Sequence, residues 1–261
     1  RLMTATATYD DDLSRVRITA SGADTDSTYA LVQRGYGGAQ WATVRGGSEA
    51  PVLAGAIAVP VDDYEFRAGV EISYRIRFYD VTDVLLETQT ATVTAAMDRI
   101  WLKFIARPVL NRPVTVTDWG DITRTSRNGI FDVIGRAVPV AITDVHSSRR
   151  FPLQVRTSTL AEADSLDLAC SAGAPIYLHA PDGCGLPTIH AVIGDYSQAR
   201  PSRRSLARVF DLDLIEVAAP GPDVVGAAVT WQTLLDDNDD WQAVLDAYNS
   251  WVGVGFGELG V

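Results

Sequence analysis

Three histidines, two cysteines and several acidic runs are the residues of this chain able to do chemistry, and their spacing limits what that chemistry can be. His179, Cys184 and His190 fall within twelve residues, with Asp182 between them, and this is the grouping that most resembles a metal site. A structural zinc needs four ligands closing a tetrahedron, usually delivered as close C-x2–4-C or H-x3–5-H pairs. Neither pair is present. The two histidines fall instead on apolar runs flanking the turn Pro181-Asp182-Gly183-Cys184-Gly185, which predicts structural histidines and no metal. Asp236-Asp237-Asn238-Asp239-Asp240 gathers carboxylates as a calcium loop does. Yet Trp241 stands where an EF-hand needs Gly, and Ala247 where it needs a bidentate Glu, so a solvated acidic linker is expected. There is no G-x-S-x-G elbow, no phosphate-cradling loop and no H-E-x-x-H pair. Gly35-Tyr36-Gly37-Gly38 lies between two β runs and reads as a hairpin turn. Asp10-Asp11-Asp12 and Asp62-Asp63 lie in expected turns, where solvated acids are the default, although a carboxylate pair for glycoside cleavage is set by the fold rather than by spacing. Cys170 and Cys184 are too few for a disulfide framework and read as two free, buried thiols. The expectation is a protein that is not an enzyme, with no catalytic residue, no cofactor and no metal.

What remains unusual is a tryptophan ladder. Trp231, Trp241 and Trp251 recur every ten residues, each directly after a helix-capping residue: Thr230, Asp240 and Ser250. At about 100° per residue, a ten-residue step leaves successive tryptophans far from a common face of one helix. Short linked helices are expected instead, with Trp231, Trp241, Trp251, Leu235 and Leu245 as apolar anchors on another surface.

The elements upstream must position that tail. Residues 1–97 read as short strands between turns, with runs at 15–19, 29–34, 41–44, 56–59, 73–79 and 90–94. Several alternate polar and apolar residues, the mark of half-buried antiparallel strands, and their number and spacing predict a β-sandwich. Trp41 is expected to be its buried tryptophan. The order resembles a fibronectin type III domain, with Tyr74-Arg75-Ile76-Arg77-Phe78 similar to its penultimate strand and Tyr64 placed as its corner tyrosine. A second domain, 98–219, reads as strands at 100–105, 114–117, 130–134, 137–145 and 151–157, one helix at about 160–171, and strands at 175–179, 189–193 and 208–217. The helix has a capping box, Thr159 with Glu162, apolar spacing at Leu160, Ala163, Leu166 and Cys170, and a stop at Gly173. Residues 220–261 form the C-terminal arm. The fold class is thus mainly β: a fibronectin-like sandwich, a second sandwich with one packed helix, and a short-helix arm.

Charge is segregated along the chain. The net charge is −11, but residues 99–160 carry ten basic and four acidic groups, whereas 209–261 carry ten acidic and none basic. Only one of the 22 basic residues, Lys103, is a lysine. Net acidity argues against nucleic acid as the partner, and no apolar run is long enough to span a bilayer. A basic middle between acidic flanks suits docking of copies against each other. Arg149, Arg150, Arg203 and Arg204 are the candidate electrostatic contacts.

Gly135-Arg136-Ala137-Val138-Pro139-Val140-Ala141-Ile142-Thr143-Asp144-Val145-His146-Ser147-Ser148-Arg149-Arg150 resembles a block in minor tail proteins of long-tailed phages infecting actinobacteria. The same likeness extends downstream through the capped helix, Val192-Ile193-Gly194-Asp195-Tyr196, an Arg-rich loop, a long terminal strand and the Trp-headed repeats. The arrangement, over about 99–251, is also similar to distal tail proteins. The resemblance implies a structural virion protein at the tail tip that forms an oligomeric ring. Its implied partners are copies of itself and the tube, hub and tape-measure proteins. A host-surface adhesion module binding glycan or protein through residues 1–97 is the alternative, and a cell-wall hydrolase a third reading.

Overall fold

The structure is a computed structural model describing residues 4–38, 40–132 and 134–221. The tryptophan ladder, its leucines and the Asp236–Asp240 run lie outside the described residues. The protein is mainly β, with multiple antiparallel sheets and, among the described residues, one α-helix: a sandwich-type fold. Two compact units share the chain: residues 4–113 with 177–188 and 220–221, and residues 114–176 with 189–219.

In the first unit the strands are β1 (Thr4–Asp10), β2 (Arg15–Ser21), β3 (Tyr29–Gly35), β4 (Trp41–Thr43), β5 (Ala50–Leu53), β6 (Ala56–Ile57), β7 (Val61–Asp63), β8 (Glu71–Tyr79) and β9 (Leu85–Thr94). One sheet has the order β1-β2-β7; the other runs β6-β5-β3-β8-β9, with β4 also on β3. Strand β8 shows why these residues form strands. Ile72, Tyr74, Ile76 and Phe78 are all completely buried, while Glu71, Ser73, Arg75 and Arg77 alternate outward, the period-2 pattern of a half-buried strand. Val32 pairs across to Ile76, and Tyr29 to Tyr79, whose rings stack at 5.1 Å. Val16, Ile18, Val32, Phe66 and the β8 residues build the core. Each such side chain contributes about 1.5–3 kcal/mol in gross apolar transfer.

The buried tryptophan is Trp101, 1% exposed, and not Trp41. Trp41 sits half-buried on the three-residue strand β4 with the Arg75 guanidinium 4.4 Å above its ring. Trp101 explains why the first unit runs on to residue 113, past the charge change at 98: it belongs to the first sandwich's core.

The remaining strands are β10 (Ile100–Phe104), β11 (Arg112–Trp119), β12 (Gly129–Phe131), β13 (Val140–Ile142), β14 (Arg150–Thr157), β15 (Ile176–His179), β16 (Ile189–Ala199) and β17 (Arg208–Glu216). Strands β11, β14, β17 and β16 are antiparallel neighbours in that order. The helix, α1 (Leu160–Ser171), begins at the expected cap. Thr159 Oγ1 accepts from the Glu162 amide at 3.1 Å, and the Glu162 carboxylate accepts from the Thr159 amide. Ala163, Leu166, Ala169 and Cys170 form its buried face, and Gly173, at φ +66°, follows its C-terminus in the left-handed conformation. No helix among the described residues is long and apolar enough to cross a membrane.

Candidate functional sites: an exposed hairpin and a buried polar centre

Between β11 and β14 the chain leaves the sheet as an arm. Its base is tied by Gly120 N donating to the Pro152 carbonyl and by reciprocal Thr123 and Arg150 backbone bonds. Farther out, Ser147 N donates to the Thr125 carbonyl, and the Thr125 amide donates to Ser147 Oγ at 2.8 Å. The arm ends in the two-stranded ladder of β12 and β13, with Ile130 opposite Ala141 and Phe131 opposite Val140. A hairpin of two strands alone is marginally stable in water. This one also leaves its apolar side chains bare: Ile130 is 69% exposed, Ile142 63%, and Phe131, Ile134, Val138 and Val145 are exposed as well. Exposed apolar surface of this kind makes the hairpin a candidate interaction site.

The four arginines selected from the sequence do not form one patch. Arg149 is committed within its own unit, donating from Nε and Nη2 to the two Glu216 carboxylate oxygens at 2.8 and 2.6 Å. That bond, first, with the Arg149 amide and charge behind it, holds Glu216 down at about 2. Arg150 is exposed and pairs through its backbone with Ile215. Arg203 and Arg204 are exposed in the turn before β17, which starts at Arg208 opposite Thr157. Seven strand residues separate the two ends, roughly 23 Å at 3.3 Å per residue.

At the start of the C-terminal arm, Arg45 pairs with Glu65 and donates to the carbonyls of Pro220 and Gly221, fixing that point on the first unit.

Inside the first unit lies a polar centre. Lys103, 1% exposed, donates to the carbonyls of Ser14 at 2.6 Å and Tyr64 at 2.7 Å, and its Nζ lies 2.8 Å from His179 Nδ1. The Phe66 ring lies 4.6 Å from the same nitrogen and edge-on to His179. Burial pushes the Lys103 ammonium well below its usual value, against the pull of Asp63 and Glu65. Burial, then the charges of Lys103 and Arg34, pushes His179 down to about 2. Nearby, Asp63 accepts from Arg34 Nη1 at 2.6 Å, the Tyr74 hydroxyl at 2.8 Å and the Glu65 amide at 2.9 Å. Burial, and after it the Asp63 charge, raises the Tyr74 phenol. A cavity of about 220 Å³ adjoins His179, walled by Arg67, Tyr177, Asp182, Leu186 and Thr188 among others.

The residues of the His179–His190 stretch separate in the fold. His179 is bound to Lys103, His190 is half-buried on β16, and Cys184 is a half-buried free thiol in the intervening turn. Cys170 is buried on α1 and in no disulfide. Among the described residues, no group of three His, Cys, Asp or Glu is placed to hold a metal ion. Tyr64 enters the centre through its carbonyl, and the fully buried tyrosine hydroxyl belongs to Tyr74. Sequence reasoning passed over Lys103. Its signal was there: the one lysine of a chain that otherwise uses arginine stands inside the apolar run Ile100–Ile105.

No family model matches the sequence, and no curated protein matches it.

Proposed function

We propose that this protein is a structural subunit of a phage tail tip, assembling into a ring in which the β12–β13 hairpin of one copy covers an apolar surface of the next. The observation that carries this reading is the hairpin, an extended arm whose ladder buries almost nothing in its own chain. Such an arm recovers its apolar transfer energy only against a partner, and a closed ring of identical copies supplies one at every position. The phage-like block Gly135–Arg150 contains β13 and the arm's returning half, which adds to the argument. The partners in this reading are other copies of the chain and the tube, hub and tape-measure proteins, with the tail tip of the virion as the location. The tail beyond Gly221 leaves from the first unit at the Arg45 clamp, and Trp231, Trp241 and Trp251 are its proposed anchors. The three-stranded sheet β1-β2-β7 facing one centred on β3 and β8 supports the fibronectin-like description of the first sandwich.

Negative-stain imaging of the purified full chain, beside a variant lacking 125–147, tests the proposal. Closed rings in the first sample and none in the second are expected. Rings of unchanged form after the deletion would overturn it.

The adhesion reading has its own support in the β8–β9 turn. Val81 is 82% exposed there, with Val84, Leu85 and Leu86 also exposed, at the end of the sandwich opposite the one where β9 leads onward to β10. It is compatible with ring assembly, because it uses a different surface.

A further inference from the structure

We infer that the acidic segment 222–246 docks on the outer face of its own first sandwich, over Trp41, Arg75 and Arg77. The register of the sheet defines that face. Gln33, Arg75 and Thr90 stand level on β3, β8 and β9, as do Leu31, Arg77 and Thr88. Their neighbours along β8, Tyr74, Ile76 and Phe78, are completely buried, so these rows point away from the core. Strand β4 adds Trp41, opposite Gly35. A Cβ at Gly35 would meet the Trp41 ring at 3.0 Å, so the glycine lets the indole lie against the sheet.

Two charges on this face lack a counter-ion. Arg75 sits over Trp41 and donates to Gln33 Oε1 at 2.6 Å, and the Arg77 guanidinium lies 5.8 Å from the Tyr79 ring centroid. Neither forms an ion pair among the described residues, and Arg77 Nε is buried with no hydrogen-bond partner. Glu71, the carboxylate of the same β8 face, stands at the start of the strand, roughly 13 Å from Arg75 at 3.3 Å per residue. Half-buried Trp41, Leu31 and Tyr79 make the surround apolar. Guanidinium groups in such a setting suit a partner that brings both carboxylates and apolar side chains.

The chain carries such a partner, and it starts beside this face. Residues 222–246 contain six acidic and no basic residues, together with Trp231 and Trp241. Their starting point is fixed by Arg45, in the turn after β4, which donates to the carbonyls of Pro220 and Gly221. Strand β4 pairs with β3, and β3 with β8, so β4 is two strand spacings, roughly 10 Å, from the Arg75–Arg77 row. A segment of this length, at up to about 3.3 Å per residue, reaches across the whole sheet. The tether also gives it a local concentration over the face that a free partner lacks. Docking brings its carboxylates to Arg75 and Arg77 and its apolar side chains to Trp41, Leu31 and Tyr79. The face belongs to the first unit alone, so the inference goes beyond the tail-tip reading and stands without it.

Photo-cross-linking of the full chain tests the inference. The probe is p-benzoylphenylalanine in place of Thr90, an exposed side chain level with Arg75. An equal mixture of nitrogen-15 and nitrogen-14 chains separates a cross-link within one chain from one between copies. A cross-link from position 90 to a peptide within 222–246, joining like-labelled segments, is expected. Arg75→Glu/Arg77→Glu should lower its yield about fivefold or more, and about 0.5 M sodium chloride should lower it as well. The same cross-link is expected in Phe131→Glu/Ile142→Glu, which keeps the result separate from the tail-tip reading. No cross-link to 222–246, cross-links between unlike labels only, or full yield in the charge-reversed variant would each overturn the inference.

Discussion

The first sandwich and the β12–β13 hairpin are both antiparallel β structure, yet they treat the same residue types in opposite ways. In β8, Ile72 and Ile76 are completely buried, because a second sheet faces them across the core. In the hairpin, Ile130 and Ile142 are mostly exposed, because no described residue of their own unit lies over them. Strand formation and burial are therefore separate achievements. A ladder can form locally, but its apolar side chains are covered only when another layer exists. Where no described residue supplies one, the side chains stay exposed.

The largest expected contrast lies at Asp63. Replacing it with Ala strands the buried Arg34 guanidinium and the Tyr74 hydroxyl, and should cost about 3–5 kcal/mol in urea unfolding. A cost near zero would mean that water or a rotated Arg34 takes its place. Next, Ile76→Ala and Ile142→Ala make the same chemical change in the two regions. The first should cost about 2–5 kcal/mol. The second should stay within about 0.5 kcal/mol in the isolated subunit. Equal costs would erase the comparison.

The pH dependence sharpens it further. His179 is held neutral in the folded chain down to about 2, whereas an unfolded histidine protonates near 6.5. The unfolded state therefore binds more protons below 6.5, and stability should fall as pH drops through that value. Glu216, depressed from 4.5 to about 2, adds loss only below about 4.5, as its bond to Arg149 is titrated away. Between about pH 6.5 and 4.5 the loss reports His179 together with Lys103, whose ammonium is likewise disfavoured by burial; a flat profile there would contradict the burial argument. The smallest effect is local to α1: Thr159→Ala removes the cap and should cost about 0.5–2 kcal/mol.

Much of the fold could be read from the chain because its signals are local. The alternation of Ser73–Phe78 is a strand in any context, and the Thr159–Glu162 box marks a helix start by itself. Strand β1 was not legible: Thr4-Ala5-Thr6-Ala7-Thr8 alternates residues too similar in polarity to show two faces. Trp101, and not the expected Trp41, is the buried tryptophan, because burial of a tryptophan is decided by what lies across the core. The polar centre is non-local in the same way, joining Ser14, Tyr64, Lys103 and His179 from four distant segments. The hairpin was legible as two strands, at 130–134 and 137–145, but nothing in its spacing says that no second layer covers it.

Sedimentation equilibrium of the full chain across a wide concentration range, beside Phe131→Glu/Ile142→Glu, tests the central claim most directly. Both substitutions fall on exposed side chains, so each subunit should fold as before. A closed oligomer is expected for the native chain and a monomer for the double variant. A native chain that stays monomeric, or an oligomer that survives both charges, would contradict it.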